Sequence, residues 1–198
     1  MDKLLLPVLL GTNRKLRKSD FVAKWLVAEM DKRSDIETRL FDVAEFAFPQ
    51  DNYGQEIKSL FPVWRDAVKA ADGLVIVTPE YNHGYPGVLK AVLDLLLREY
   101  VHKAVGFVGV SAGPWGGARV IEAMVTMVRE LGLAATFTDL NFPSVQEKFD
   151  DGGQLTDLAY AKRGNDFLDE LVWMATVLKW GRQNVPSKYH SVATPAAY

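Results

Sequence analysis

Thr78-Pro79-Glu80-Tyr81-Asn82-His83-Gly84-Tyr85-Pro86-Gly87 follows the apolar run Gly73-Leu74-Val75-Ile76-Val77 and opens a further apolar stretch. A β-branched run without polar alternation is the pattern of a strand buried on both faces, which belongs to a parallel sheet. Such sheets bind ligands outside the carboxyl ends of their strands, and the decapeptide stands at that end. Its two prolines stiffen it, Gly84 and Gly87 allow close backbone approach, and Tyr81, Asn82 and Tyr85 offer aromatic surface and hydrogen bonds. The plainer reading is an ordinary strand-to-helix loop, although such loops usually run only ~2–6 residues.

Outward from this stretch, short apolar runs alternate with helical patterns. Residues 4–10 predict a first strand, with Pro7 counting against a central position because proline removes a ladder donor. Residues 19–32 carry Phe21, Val22, Trp25, Leu26 and Ala28 at helical spacing, with Ser19 placed as the cap. Residues 36–43 read as a second strand near an edge, and a loop over 47–54 follows. A helix over 55–71 sets Ile57, Leu60, Phe61, Trp64 and Val68 on one face, with Pro62 as the point where it would split. After the central strand come a helix over 86–99, a strand over 104–110 and a helix over 118–131 stopped by Gly132. A fifth strand over 133–140 and a long helix over 155–180 complete the pattern. Five strands alternating with helices predict an α/β fold, a three-layer α/β/α sandwich around a five-stranded parallel sheet of order 2-1-3-4-5. One domain over 1–180 and a Pro-, Ser- and Ala-rich tail over 181–198 are expected.

Composition narrows the function classes. The 198 residues suffice for one domain with a substantial core, and a formal net charge of −2 argues against nucleic acid as a partner. The chain has no cysteine, which removes disulfides, thiolate catalysis and cysteine-held metals and suits a reducing cytoplasm. The apolar run near the N-terminus is too short for a membrane span. His102 and His190 suggest no metal cluster, and Glu80 and Asp94 are not spaced as an acid/base pair.

In the expected sheet order, the loops after strands one, three and four share one crevice. The first, Gly11-Thr12-Asn13-Arg14-Lys15-Leu16-Arg17-Lys18-Ser19, runs into a helix start. Hydroxyls at Thr12 and Ser19, guanidinium groups at Arg14 and Arg17, and free amides at the helix start together suit a phosphate dianion. A solvated cationic loop is the alternative, and both readings stand. The loop is not a Walker motif, since Arg17 precedes Lys18 where a glycine is required, nor does it carry the dinucleotide glycine fingerprint. The third loop supplies Ser111, Gly113, Gly116 and Gly117, with Arg119 just inside the next helix. Glycines at that density let backbone amides face a planar ring or an anion.

These three segments together resemble the NAD(P)H-dependent FMN reductase family of flavodoxin-like proteins over nearly the whole chain. The resemblance is carried by Gly11-Thr12-x-Arg14 through Ser19, by Pro79-Glu80-Tyr81-Asn82 with Pro86-Gly87-Val88-Leu89-Lys90, and by Ser111-x-Gly113-x-x-Gly116-Gly117-x-Arg119. It implies noncovalent FMN, oxidation of NADPH or NADH, and electron delivery to free flavin, quinones, azo dyes or similar small acceptors. Thr12, Arg14, Arg17 and Ser19 would then hold the phosphate. Pro79, Glu80, Tyr81 and Asn82 would contact the ribityl chain and ring, and Ser111, Gly113 and Gly116 would line the other edge. Two departures stand out: Thr12 replaces the usual serine, and His83-Gly84-Tyr85 follows Asn82 where many relatives have another aromatic and a small residue.

No side-chain acid or base is required for hydride arrival. His83 is either a proton donor to a reduced quinone or a surface residue. Arg17, Lys18 or Arg119 could reach the 2′-phosphate of NADPH. The helix after Pro86 is apolar around much of its circumference, which together with the resemblance suggests a homodimer or a dimer of dimers, with Trp115 and the 47–54 loop at its rim. The rival readings are a one-electron flavodoxin carrier, which would want a stronger acidic excess, and a flavin-binding regulatory protein. A receiver-type domain would need acidic residues at the ends of strands one and three, where Leu10-Gly11-Thr12 and Val77-Thr78-Pro79 stand instead.

Overall fold

Every residue of three strands is buried: β2 (Val8–Leu10), β5 (Gly73–Pro79) and β6 (Ala104–Val110). The computed structural model describes residues 2–46 and 61–190. In it β2 pairs in parallel with β4 (Leu40–Asp42) on one side and β5 on the other, and β5 pairs with β6. On its far side β6 pairs with β7 (Ala134–Ala135) and then β8 (Leu140–Phe142), again in parallel. β1 (Leu4–Leu5) and β3 (Ile36–Glu37) form a short parallel pair of their own.

The side chains alternate between two cores, as a strand's period of two requires. Val8, Leu10, Val75, Val77 and Val108 face the helices α1 (Ser19–Asp31) and α5 (Ala159–Asn184). Leu9, Leu74, Ile76, Val105 and Phe107 face α2 (Pro62–Ala70), α3 (Gly87–Leu93) and α4 (Ala118–Glu130). Gly106 admits α5 closely: a Cβ there would lie 2.6 Å from Phe167 Cζ.

Several boundaries differ from those expected, each for a local reason. The first strand divides at Leu6-Pro7, because Pro7 has no N–H; its carbonyl still accepts from Val75 N at 2.9 Å, so pairing resumes at Val8. The second and fifth strands are likewise split, the latter by residues 136–139 between β7 and β8. Pro62 begins α2, at a first-turn position where an N–H has no partner anyway. Residues 55–60 of the expected helix, and the 47–54 loop, lie outside the described residues. Ser19 is not the cap of α1: Lys18 holds that position, without a side-chain capping bond, and Ser19 is the first helical residue.

The apolar segment after Pro86 is not one helix to residue 99. α3 stops at Leu93, and Leu95 and Leu96 fold back into the same core as Leu89, Val92 and Leu93. Its apolar circumference is therefore mostly covered by the chain itself, and Leu97 is the large side chain left exposed. The last helix runs to Asn184, past the expected end at Trp180, because its final turns are tied down. Buried Asp72 takes Lys179 Nζ at 2.9 Å and Arg182 Nη2 at 3.1 Å, and Arg182 Nη1 donates to the His102 carbonyl at 2.8 Å.

Candidate functional site

Three loops leave the carboxyl edge of the sheet together, held by continued ladder bonds. Gly11 N donates to Val77 O at 2.8 Å, Glu80 N to Val110 O at 2.9 Å and Ser111 N to Phe142 O at 3.1 Å. Among the described residues, five other than glycine have positive φ, and Leu16, Asn82, His83 and Ser144 of these lie at this edge. Backbone strain of this kind costs on the order of 1–3 kcal/mol per residue and clusters where a loop's shape is functional.

The loop after β2 is joined to the decapeptide by a direct contact. Thr12 is buried, with Oγ1 3.0 Å from Tyr81 Oη, and it also accepts from Arg14 N at 3.3 Å. The Arg14 guanidinium stands 5.8 Å from the centre of the Tyr81 ring. Arg17 is already engaged: Nη1 donates to the Thr12 carbonyl at 2.6 Å, and Nη2 pairs with Asp42 at the end of β4. An open concavity of about 730 Å³ is lined by Asn13, Arg14, Lys15, Lys18, Phe21 and Ala44, among others.

Ser19 supplies the test of whether a phosphate fits. Its hydroxyl is buried at the start of α1 with no hydrogen-bond partner among the described residues. Leaving a buried hydroxyl unsatisfied costs about 1–3 kcal/mol, and its neighbours Lys18 and Asp20 both line the concavity. An anion at the amino end of a 13-residue helix, beside Arg14 and Lys15, would supply the missing acceptor. The donor set therefore fits a phosphate.

The decapeptide opens as strand and closes as a tight turn. Pro79 is the last residue of β5, in register with Val110 and buried. Tyr81 N donates to Gly84 O at 2.9 Å and Gly84 N to Tyr81 O at 3.0 Å, with φ of 51° at Asn82 and 65° at His83. Two successive left-handed residues make this a type I′ turn, normally occupied by glycine or asparagine. Glu80 is held by Arg119: its carboxylate accepts from Arg119 N at 3.3 Å and from Arg119 Nη1 at 3.2 Å. The same Nη1 lies 2.9 Å from His83 Nε2, and since a guanidinium only donates, His83 carries its proton on Nδ1.

In the third loop the Ser111 hydroxyl donates to Gly113 O at 2.7 Å and accepts from Gly116 N at 2.8 Å. It is the pin of the loop. Gly113 has open space where a Cβ would be, whereas a Cβ on Gly117, at φ 82°, would lie 2.7 Å from Gly109 Cα. Glycine is thus required at 117 to bring α4 down onto β6.

Thr12, Arg14 and Tyr81 are brought together, Asn82 follows in the exposed turn, and Ser19 stands at the helix start without a hydrogen bond to any of them. Glu80 and Arg17 are occupied by protein partners. Asp42 and the Arg119–His83 contact were not anticipated. Asp42 had a readable signal, since it is the last residue but one of the strand expected beside the first. The Arg119 contact had none, because it depends on a turn with two left-handed non-glycine residues.

Residues 5–146 match the model of the NADPH-dependent FMN reductase family. The chain is 30% identical over 173 residues to the FMN-dependent NADPH-azoreductase of Staphylococcus haemolyticus, covering 83% of this chain and 92% of that one. It is 35% identical over 122 residues to an NADPH azoreductase of a Bacillus species, covering 60% and 65% respectively. Among solved structures the NAD(P)H:acceptor oxidoreductase FerB of Paracoccus denitrificans superposes with a TM-score of 0.72 at 21% identity, covering 88% of this chain and 98% of that one. The family model spans all three loops of the carboxyl edge, and on that match the chain belongs to the NADPH-dependent FMN reductase family of oxidoreductases.

Proposed function

We propose that this chain holds FMN at the carboxyl edge of the sheet and uses it to pass electrons from NADPH to azo compounds, quinones or free flavin. The observation that carries the reading is the unsatisfied Ser19 hydroxyl in a cationic loop that touches Tyr81 through Thr12. Bound FMN would supply two-electron chemistry, accepting hydride from the nicotinamide and returning the electrons to the acceptor. Ser19, Thr12 and Arg14, with the first amides of α1, would hold its phosphate. Tyr81 and Asn82 would fix the ring edge, and the open backbone at Gly113 would let it lie close.

The loops after β2, β5 and β6 leave the same edge of the sheet, and on the reading that they wall one crevice the nicotinamide and the acceptor would occupy it in turn. Hydride transfer needs reacting atoms ~3–3.5 Å apart, which excludes a second flat reactant from the same face. The rate law expected is ping-pong. Converting a quinone to a hydroquinone takes two electrons and two protons, one arriving with the hydride and one from solvent. Solvent supplies that second proton directly, because His83 could pass on its Nδ1 proton only while taking one at Nε2, and that nitrogen faces Arg119 Nη1. The absence of cysteine and the choice of a nicotinamide donor both suit a cytoplasmic reductase.

The test is a titration of the purified chain with FMN and with riboflavin, followed by NADPH oxidation against an azo dye and a quinone. FMN binding at least ten times tighter than riboflavin, with parallel double-reciprocal plots, is expected. Equal affinity for the two flavins, or intersecting plots, would reject the phosphate site or the shared crevice respectively.

A further inference from the structure

We propose that Arg119, braced by Glu80 and His83 and stacked on Trp115, receives an acidic substituent of the electron acceptor. Carboxylated or sulfonated aromatic compounds are then the preferred acceptor class. The proposal rests on reading the crevice as a flavin reductase site. Its ground is how little of the guanidinium is used. Nη1 alone serves both Glu80 Oε1, at 3.2 Å, and His83 Nε2, at 2.9 Å, while the second carboxylate oxygen takes the backbone N of Arg119. Nε and Nη2 have no hydrogen-bond partner among the described residues. Those two nitrogens form the side-on edge that matches a carboxylate or sulfonate with two parallel bonds.

The cation is also held still. Its Cζ lies 4.9 Å from the centre of the Trp115 ring, which is 59% exposed, and the Arg119 side chain is 39% exposed against 9% for Glu80. An arginine anchored at one nitrogen and laid on an indole has already lost the rotamer freedom that a free surface arginine would lose on binding. The exposed Trp115 offers an aromatic surface next to the anion-binding edge. The position favours the acceptor over the nicotinamide nucleotide. Arg119 lies on the β5–β6 flank, bonded to the turn that carries Asn82, and the phosphate loop lies on the β2 flank. An acid group on an aromatic acceptor lies about one ring from the atoms being reduced, whereas the 2′-phosphate stands at the far end of a dinucleotide.

The experiment uses the oxidised holoprotein without nicotinamide, so that nothing turns over. Binding of anthraquinone-2-sulfonate and of uncharged 2-hydroxymethylanthraquinone is measured by calorimetry and by perturbation of the flavin absorption band. Arg119→Gln should weaken the sulfonate by about 10- to 30-fold and change the uncharged compound by less than about 2-fold. Glu80→Gln removes the competing charge but keeps an acceptor for Arg119, and should tighten the sulfonate by about 2- to 5-fold. A brace with no role in recognition would not produce that gain. Equal weakening of both probes by Arg119→Gln, an unchanged sulfonate affinity, or no gain in Glu80→Gln would overturn the proposal. In a separate steady-state assay, a loss in Arg119→Gln seen in KM for NADPH and not in sulfonate binding would overturn it as well. A direct FMN titration of each variant tells failure of the flavin site from failure of the Arg119 assignment.

Discussion

The hydroxyl of Thr12 and the phenol of Tyr81 meet at 3.0 Å across sixty-nine residues of sequence, joining the loop after β2 to the turn after β5. Through this contact the two halves of the crevice are positioned by one hydrogen bond rather than by flavin alone. Tyr81→Phe should weaken FMN by roughly 3- to 10-fold, the value of one hydrogen bond. A double-mutant cycle with Thr12→Val, read by FMN titration, should show a coupling of about 1 kcal/mol. Additive losses would mean that the contact contributes nothing.

Arg14 and Arg17 carry the same charge in the same loop yet should fail differently. Among the described residues the polar contacts of Arg14 are its backbone N and the face of Tyr81, so Arg14→Ala should cost FMN affinity of about 10- to 100-fold. Its effect on the stability of the apoprotein should stay within about 0.5 kcal/mol. Arg17→Ala removes the bonds to Thr12 O and Asp42 and should destabilise the apoprotein by roughly 1–3 kcal/mol in urea. Asp42→Ala should show a loss of similar size.

At the opposite edge, Asp72 accepts from Lys179, Arg182 and Leu5 N while nearly covered by protein. Removing one member of such a cluster leaves buried charge without its partner, so Asp72→Ala should cost roughly 3 kcal/mol. FMN affinity should be unchanged in the folded fraction. Thermal melts and FMN titration of the same sample separate the two readouts.

Lys103 gives a pH signature. Its ammonium is buried and donates to the carbonyls of Val68 and Lys69 in the last turn of α2, and burial pulls its pKa from 10.5 down to about 8. Between those values the unfolded chain holds more protons than the folded one, so stability should rise with pH from about 8 toward 10. The comparison that isolates this is wild type against Lys103→Met. The difference in unfolding free energy should shift in favour of wild type across that window, and a flat difference would refute the assignment.

The buried runs at 73–77 and 104–110 were readable from sequence because a strand covered on both faces is apolar along its length, although β5 continues two residues further through buried Thr78 and Pro79. The cationic loop after β2 was readable as the approach to a helix, since hydroxyls and charges gather before a helix start and α1 begins at Ser19. What escaped was set by contacts between distant segments. Nothing near Arg17 announces that Asp42 will take its charge, and nothing near Glu80 announces Arg119. The helix after Pro86 misled for a related reason. Its apolar residues were placed on one straight cylinder, whereas the chain ends the helix at Leu93 and tucks Leu95 and Leu96 inward.

The ties from Asp72 to Lys179 and Arg182 also decide where the far end of the chain emerges. They hold the last turns of α5 against the amino edge of the sheet, so the last described residues, up to His190 beside His102, lie on the side away from the three loops. A linker added at the C-terminus, long enough to clear that edge, would let the protein be tethered to an electrode or a bead with its crevice facing solution. Fusion there should preserve turnover, whereas cutting before Lys179 should not, because it removes both cations that Asp72 holds.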